Sequence, residues 1–190
     1  MPHLPGGKGG SRTGDNFRLN QRSPCGALGL VLRPAGSADE PFLRLMLYEA
    51  ATRPDGPRRP LDEVLADPRN ARFVVDWGRP GDMGVIAEED GDRIGAAWLR
   101  AHAGDEFAPG YLGAPVAQLA MAVLPAHRGR GRGRQLLERL LEEADMSGLP
   151  EIQLTVGLTN ATAVRLYQST GFSVLLSDGL SARMRRPVHG

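Results

Sequence analysis

The segment AHRGRGRGRQLL, residues 126–137, sets arginines at 128, 130, 132 and 134 and glycines at 129, 131 and 133. Two physical readings compete for it. A repetitive Arg-Gly run has the composition of a disordered basic arm that meets nucleic acid through its charge. A glycine bend leading straight into a helix is instead a place where the free N–H groups of the first turn, reinforced by the helix dipole, receive an anion. The flanks favour the second reading. Upstream, VAQLAMAVLP is an apolar run suited to a buried strand. Downstream, residues 132–146 place Leu136, Leu137, Leu140, Leu141 and Ala144 on one helical face, with Arg134/Glu138 and Arg139/Glu143 at i,i+4 on the wet side. A basic arm would not be fused to a leucine-rich helix that begins inside it.

Composition points the same way. At 190 residues the chain has room for one packed domain and a tail. Its net charge of +1 and 5% aromatic content supply neither the field nor the stacking surface of a nucleic-acid binder. Arginine carries almost all the positive charge, Lys8 being the only lysine, which reads as coding bias rather than as a binding signal. Cys25 is the sole cysteine, so an intramolecular disulfide and a multi-thiolate zinc site are excluded, and no metal is expected. No run is apolar over a membrane-spanning length, and the N-terminus lacks the apolar stretch of a secretion signal. A cytoplasmic protein with no membrane partner is the expectation.

Residues 1–24 are rich in Gly, Pro, Ser and Arg and read as a disordered tail, leaving 25–190 as the folded domain. LGLVLRPA reads as a strand, and SADEPFLRLMLYEAA as a helix starting at Ser37–Glu40. LDEVLADPRNARFVVDWG reads as short helices interrupted at Pro68. GVIAEE and RIGAAWLRA flank Asp90-Gly91 as a hairpin; EIQLTVGL is a strand, NATAVRLYQSTG a helix closed by Gly171, and the C-terminal residues a last hairpin. The element order predicts a mixed α/β sheet with a strand–helix–strand crossover around the leucine-rich helix.

Two common phosphate motifs fail on the quoted segment. A P-loop ends in Gly-Lys-Ser/Thr, absent here, and the dinucleotide fingerprint needs G-x-G-x-x-G where residues 129–133 give G-x-G-x-G. Arg128-x-x-Gly131-x-Gly133, directly after AVLP, instead resembles the acetyl-CoA motif Q/R-x-x-G-x-G/A of the GNAT N-acetyltransferase superfamily. LTVGLTNATAVRLYQSTGF resembles the same family's N-x-x-A-x-x-L-Y-x-x-x-G-F element. The specific likeness covers about residues 115–175, and the element order is compatible from about 28 to 187.

The resemblance implies a single-domain, mostly antiparallel central sheet flanked by helices, with a splayed central strand pair. It implies acetyl-CoA as co-substrate, its pantetheine arm on the backbone of Met121, Ala122 and Val123. Its phosphates would lie on the turn formed by Arg128, Gly129, Arg130, Gly131, Arg132, Gly133 and Arg134, where Arg130, Arg132 and Arg134 are expected as rim charges. Asn160 occupies an N-cap position and Tyr167 follows seven residues on, nearly two turns, so both can face one ligand; the plain alternative is a cap and a packing ring. In the resemblance Tyr167 is the proton donor to the departing sulfur. The acceptor would be an amine of a small molecule, peptide or protein, and a homodimer is open.

One position departs from the pattern. Many family members carry a glutamate five residues before the valine of V-x-P, where this chain has Gln118. An amide can hold a water or a substrate but is no useful proton acceptor. Water, a substitute acid such as Glu49 or Glu106, or an acyl-CoA-binding module with weak catalysis all remain open. His102 and His127 read as surface or structural histidines, and Trp77 and Trp98 as core or pocket wall.

Overall fold

A computed structural model describes residues 29–52, 58–102 and 116–188. Residues 1–28, 53–57, 103–115 and 189–190, and with them the tail 1–24, Cys25 and Glu106, lie outside the described residues. The chain runs β1 (Val31–Pro34), a 3-10 turn (Ser37–Asp39), α1 (Glu40–Ala51), α2 (Leu61–Ala66), α3 (Pro68–Ala71), β2 (Met83–Glu89), β3 (Asp92–His102) and β4 (Val116–Val123). After a 3-10 turn at Pro125–His127 come α4 (Arg132–Asp145), β5 (Glu151–Gly157), α5 (Ala161–Ser169), β6 (Ser173–Ser177) and β7 (Ser181–Pro187).

Local chemistry accounts for the joints. Pro68 stops α2 and opens α3, with the Asp67 carboxylate accepting from the Arg69 N–H at 3.0 Å. Asp90 and Gly91 take φ of 55° and 89°, the left-handed pair that a two-residue hairpin loop requires.

The seven strands form one sheet in the order β1-β2-β3-β4-β5-β7-β6. Every pairing is antiparallel except β4 with β5, which α4 connects as a crossover. That parallel pair is in register only at Ala117↔Ile152 and Gln118↔Gln153. Beyond Gln118 the two strands diverge, whereas β4 stays paired with β3 through to Val123. The sheet thus carries the splayed central pair expected from the resemblance.

Alternation along the strands divides the core between the two faces. Ala97, Leu99, Leu119 and Val123 pack with the α4 leucines, Ile152 and Phe172 on one face; Ala96, Trp98 and Ala122 pack with Phe42, Leu43, Met46 and Leu47 of α1 on the other. At Gly95 a Cβ would stand 2.9 Å from the Ala122 carbonyl oxygen and 3.0 Å from Leu136 Cδ1, so a glycine is what lets α4 settle on β3. Trp77 and Trp98 are core residues whose indole N–H groups donate to the carbonyls of Gly36 and Phe73. Among the described residues no helix is long and apolar enough to cross a membrane.

Candidate functional site

The site follows from where β4 ends. Past Val123 the chain makes a 3-10 turn, and Gly129 and Gly131 then adopt φ of 76° and 77° before α4 begins. Side chains with a Cβ seldom take this conformation, which accounts for glycine at both positions. Gly131 is the N-cap of α4 and supplies no side-chain acceptor, so no cap covers the N–H groups of the first turn. Those N–H groups and the helix dipole have the polarity that suits an anion.

The arginine side chains of the turn reach carboxylates of the chain itself. Arg128 donates through Nε to the Val123 carbonyl at 2.7 Å and through Nη2 to Glu49 of α1 at 2.8 Å. Arg132 pairs with Glu89 and with Gln135, and Arg130 stands 4.0 Å from Glu89. Arg134 reaches Glu138 at 3.1 Å and Ser169 of α5 at 2.8 Å. Arg132 Nε is buried with no hydrogen-bond partner among the described residues.

Gly133 is where three elements converge. A Cβ on it would lie 3.6 Å from Met121 Cε and 3.9 Å from both Val123 Cγ2 and Leu166 Cδ2. Met121, Val123 and Gly133 are therefore brought together with α5, while Ala122 points to the opposite face. Tyr167, the next residue on α5, packs edge-on against Phe172 with ring centroids 5.8 Å apart. Burial pushes its phenol up to about 12, so it is protonated throughout the physiological range. Asn160 caps α5, its Oδ1 accepting from the Ala163 N–H at 3.1 Å, and is exposed.

Gln118 lies on the α1–α3 face of β4, buried, and its Oε1 accepts from Arg72 at 2.7 Å. Its cross-strand neighbour is Arg100, which is 1% exposed. A buried guanidinium needs all its donors met, and Arg100 pairs with both oxygens of Asp82, at 2.9 and 2.8 Å, and donates to the carbonyls of Arg72, Val75 and Asp76. Arg100 thus pins to the sheet the turn that aims Arg72 at Gln118. Glu49 is engaged by Arg128 and stands 4.0 Å from Arg58.

Glu89, Arg72, Arg100 and Asp82 carry no signal in the sequence, because the side-chain partner that gives each its place here lies 18 to 46 positions away. His127 gains a definite contact, its Nδ1 standing 3.0 Å from Glu89.

With this geometry in place, comparison with known proteins is direct. The sequence profile described as Acetyltransferase (GNAT) family matches residues 45–172. A mycothiol acetyltransferase of Frankia alni is 30% identical over 184 residues, covering 90% of this chain and 53% of that protein. One of Thermobispora bispora is 38% identical over 138 residues, covering 73% and 44%. The chain spans about half the length of these curated relatives. Among solved structures, a putative acetyltransferase of Salmonella typhimurium with its cofactor acetyl-CoA superposes with a TM-score of 0.58 at 26% identity, over 85% of this chain and 95% of that one. A GCN5-related N-acetyltransferase of Kribbella flavida gives a TM-score of 0.58 at 27% identity, over 84% and 98%. The profile spans about two thirds of the sequence and the whole-fold likeness agrees with it: the chain belongs to the GNAT family of acetyltransferases.

Proposed function

We propose that this chain transfers an acetyl group from acetyl-CoA to an amine. The observation that carries the reading is the left-handed Gly131 that leaves the first turn of α4 open, set beside a strand pair that parts beyond Gln118. Coenzyme phosphates fit the backbone N–H groups of residues 132–134, and the pantetheine arm fits the β4 edge along Met121, Ala122 and Val123, which β5 no longer matches. In this reading Arg128 shapes the site by tying the end of β4 to α1. Arg130 and Arg134 supply a positive surround, and Arg132 is engaged by Glu89.

The reaction is a direct displacement. The neutral amine attacks the thioester carbonyl carbon, the C–S bond breaks, and the thiolate takes the Tyr167 proton as it leaves. The nitrogen's surplus proton passes to water, and solvent reprotonates the phenolate. A half-buried phenol held in its protonated form is suited to the donor role because it arrives with its proton. Backbone N–H groups on β4 would polarise the carbonyl as it gains negative charge. Gln118, held by Arg72, positions the amine or a water and does not take the proton.

The relatives' name makes a mycothiol-related amine the first acceptor to try, ahead of polyamines, aminoglycosides, amino acids and peptide N-termini. A cytoplasmic setting follows from the use of acetyl-CoA, and a homodimer stays open. The test is thiol release from acetyl-CoA across that acceptor panel, with thermal shift by the coenzyme alone as its first arm. A rise in melting temperature without turnover on any acceptor would favour the second reading, an acyl-CoA-binding module, which the Arg72–Gln118 bond supports. No rise at sub-millimolar acetyl-CoA would defeat both.

A further inference from the structure

Glu89 is the last residue of β2, and its carboxylate serves two residues on either side of the glycine bend. His127, which closes the 3-10 turn after β4, places Nδ1 3.0 Å from it, and Arg132, the first residue of α4, donates to it. Arg130, inside the bend, stands 4.0 Å away. Residues 127 and 132 bracket 128–131, the stretch holding both left-handed glycines. Arg128 ties the start of the bend to Val123 and Glu49, but its two glycines stand in the open, since among the described residues a Cβ at Gly129 or Gly131 would meet no atom within 4 Å. A glycine bend in open space carries high conformational entropy, which a ligand must overcome unless the protein has already restrained the bend.

We propose that Glu89 is a positioning residue for coenzyme binding: by bridging His127 and Arg132 across the bend, it holds the first turn of α4 in its anion-receiving conformation. The proposal rests on the reading of this turn as the acetyl-CoA site. Two consequences separate it from plain electrostatics. A carboxylate near a diphosphate repels it, so neutralising Glu89 would tighten binding if charge alone mattered, whereas loss of a clamp weakens binding. If Arg132 contacted phosphate directly, Glu89 would compete with the ligand for it. If Arg132 acts through Glu89, removing either partner does the same damage.

The experiment is calorimetric titration of acetyl-CoA into the full chain and its Glu89→Gln, Arg132→Gln and double variants, each checked by its melting transition. The expected result is a weakening of about tenfold in each single variant and no further loss in the double, the signature of two residues working as one unit. Glu89→Asp, which keeps the charge, should recover part of the affinity. Unchanged or tighter binding by Glu89→Gln overturns the proposal, as do additive losses in the double variant. Loss of the melting transition in Glu89→Gln also overturns it, because Glu89 would then hold the fold and not the turn. Failure of the unaltered chain to bind acetyl-CoA would instead defeat the reading of the site, a separate outcome.

Discussion

The Arg72 guanidinium donates to Gln118 Oε1 at 2.7 Å, at the strand position where a proton-accepting carboxylate would stand. A glutamate introduced there would meet the same guanidinium and be drawn into an ion pair. Its proton affinity would fall below the ordinary glutamate value of about 4.3, the wrong direction for a base near neutrality. Gln118→Glu is therefore expected to leave the pH–rate profile between pH 6 and 9 unchanged. A new limb in that range, measured by thiol release, would show that a base can act from this position.

Tyr167 offers two separable readings of its hydroxyl. As the proton donor, its replacement by phenylalanine should lower turnover about a hundredfold or more while acetyl-CoA affinity is kept. Its folded-state value of about 12 lies above the ordinary tyrosine value of about 10. The stabilisation linked to that proton is thus complete below pH 10 and is lost as pH climbs from 10 towards 12, by up to roughly 2 to 3 kcal/mol. Urea unfolding midpoints between pH 9 and 11 should fall less steeply in Tyr167→Phe than in the unaltered chain.

The two glycines at the start of α4 should respond differently. Gly131 has φ of 77°, so alanine there is strained by about 1–2 kcal/mol even though the space is open. Gly133 has no such dihedral, and a Cβ there would make only ordinary contacts. Gly131→Ala should weaken acetyl-CoA binding and lower the melting temperature; Gly133→Ala should fold and bind nearly as the parent does. Equal effects in calorimetry and thermal melts would contradict the backbone account of the turn.

Asp82 neutralises a guanidinium that is almost wholly buried, with side-chain exposures of 5% and 2% for the pair. Removing one partner of such a pair leaves an uncompensated charge and costs about 3–5 kcal/mol. Asp82→Ala should lower stability by that order in chemical denaturation. Arg100 also holds the turn carrying Arg72, so the variant should lose the Gln118 contact and with it acceptor affinity before coenzyme affinity.

Much of this architecture can be read along the chain because its causes are local. The period of the leucines specifies α4, Asp90-Gly91 specifies the hairpin, Pro68 divides α2 from α3, and glycines at 129 and 131 mark the bend. Each is a matter of neighbouring residues and backbone dihedrals. The partners of the arginines are another matter. The sequence presents Arg128, Arg130, Arg132 and Arg134 as one alternating run, alike in spacing and charge. Folding sends Arg128 to Glu49 of α1, Arg130 and Arg132 towards Glu89 of β2, and Arg134 to α4 and α5.

Arg134/Glu138 is a local pair and legible, but for Arg128, Arg130 and Arg132 the partner is decided by which carboxylates of α1 and β2 the fold carries to the turn, and such long-range charge pairing leaves no periodicity to detect. The same holds for Gln118: its identity is plain in the chain, but its hydrogen bond to Arg72 exists only because buried Arg100 pins the 72–76 turn against β3. Sequence alone determined where the glycine bend and the start of α4 fall, since glycine dihedrals and helix starts are short-range properties. Tertiary structure alone decided which side chains surround that place, since burial and Coulomb attraction act through space and take no account of distance along the chain.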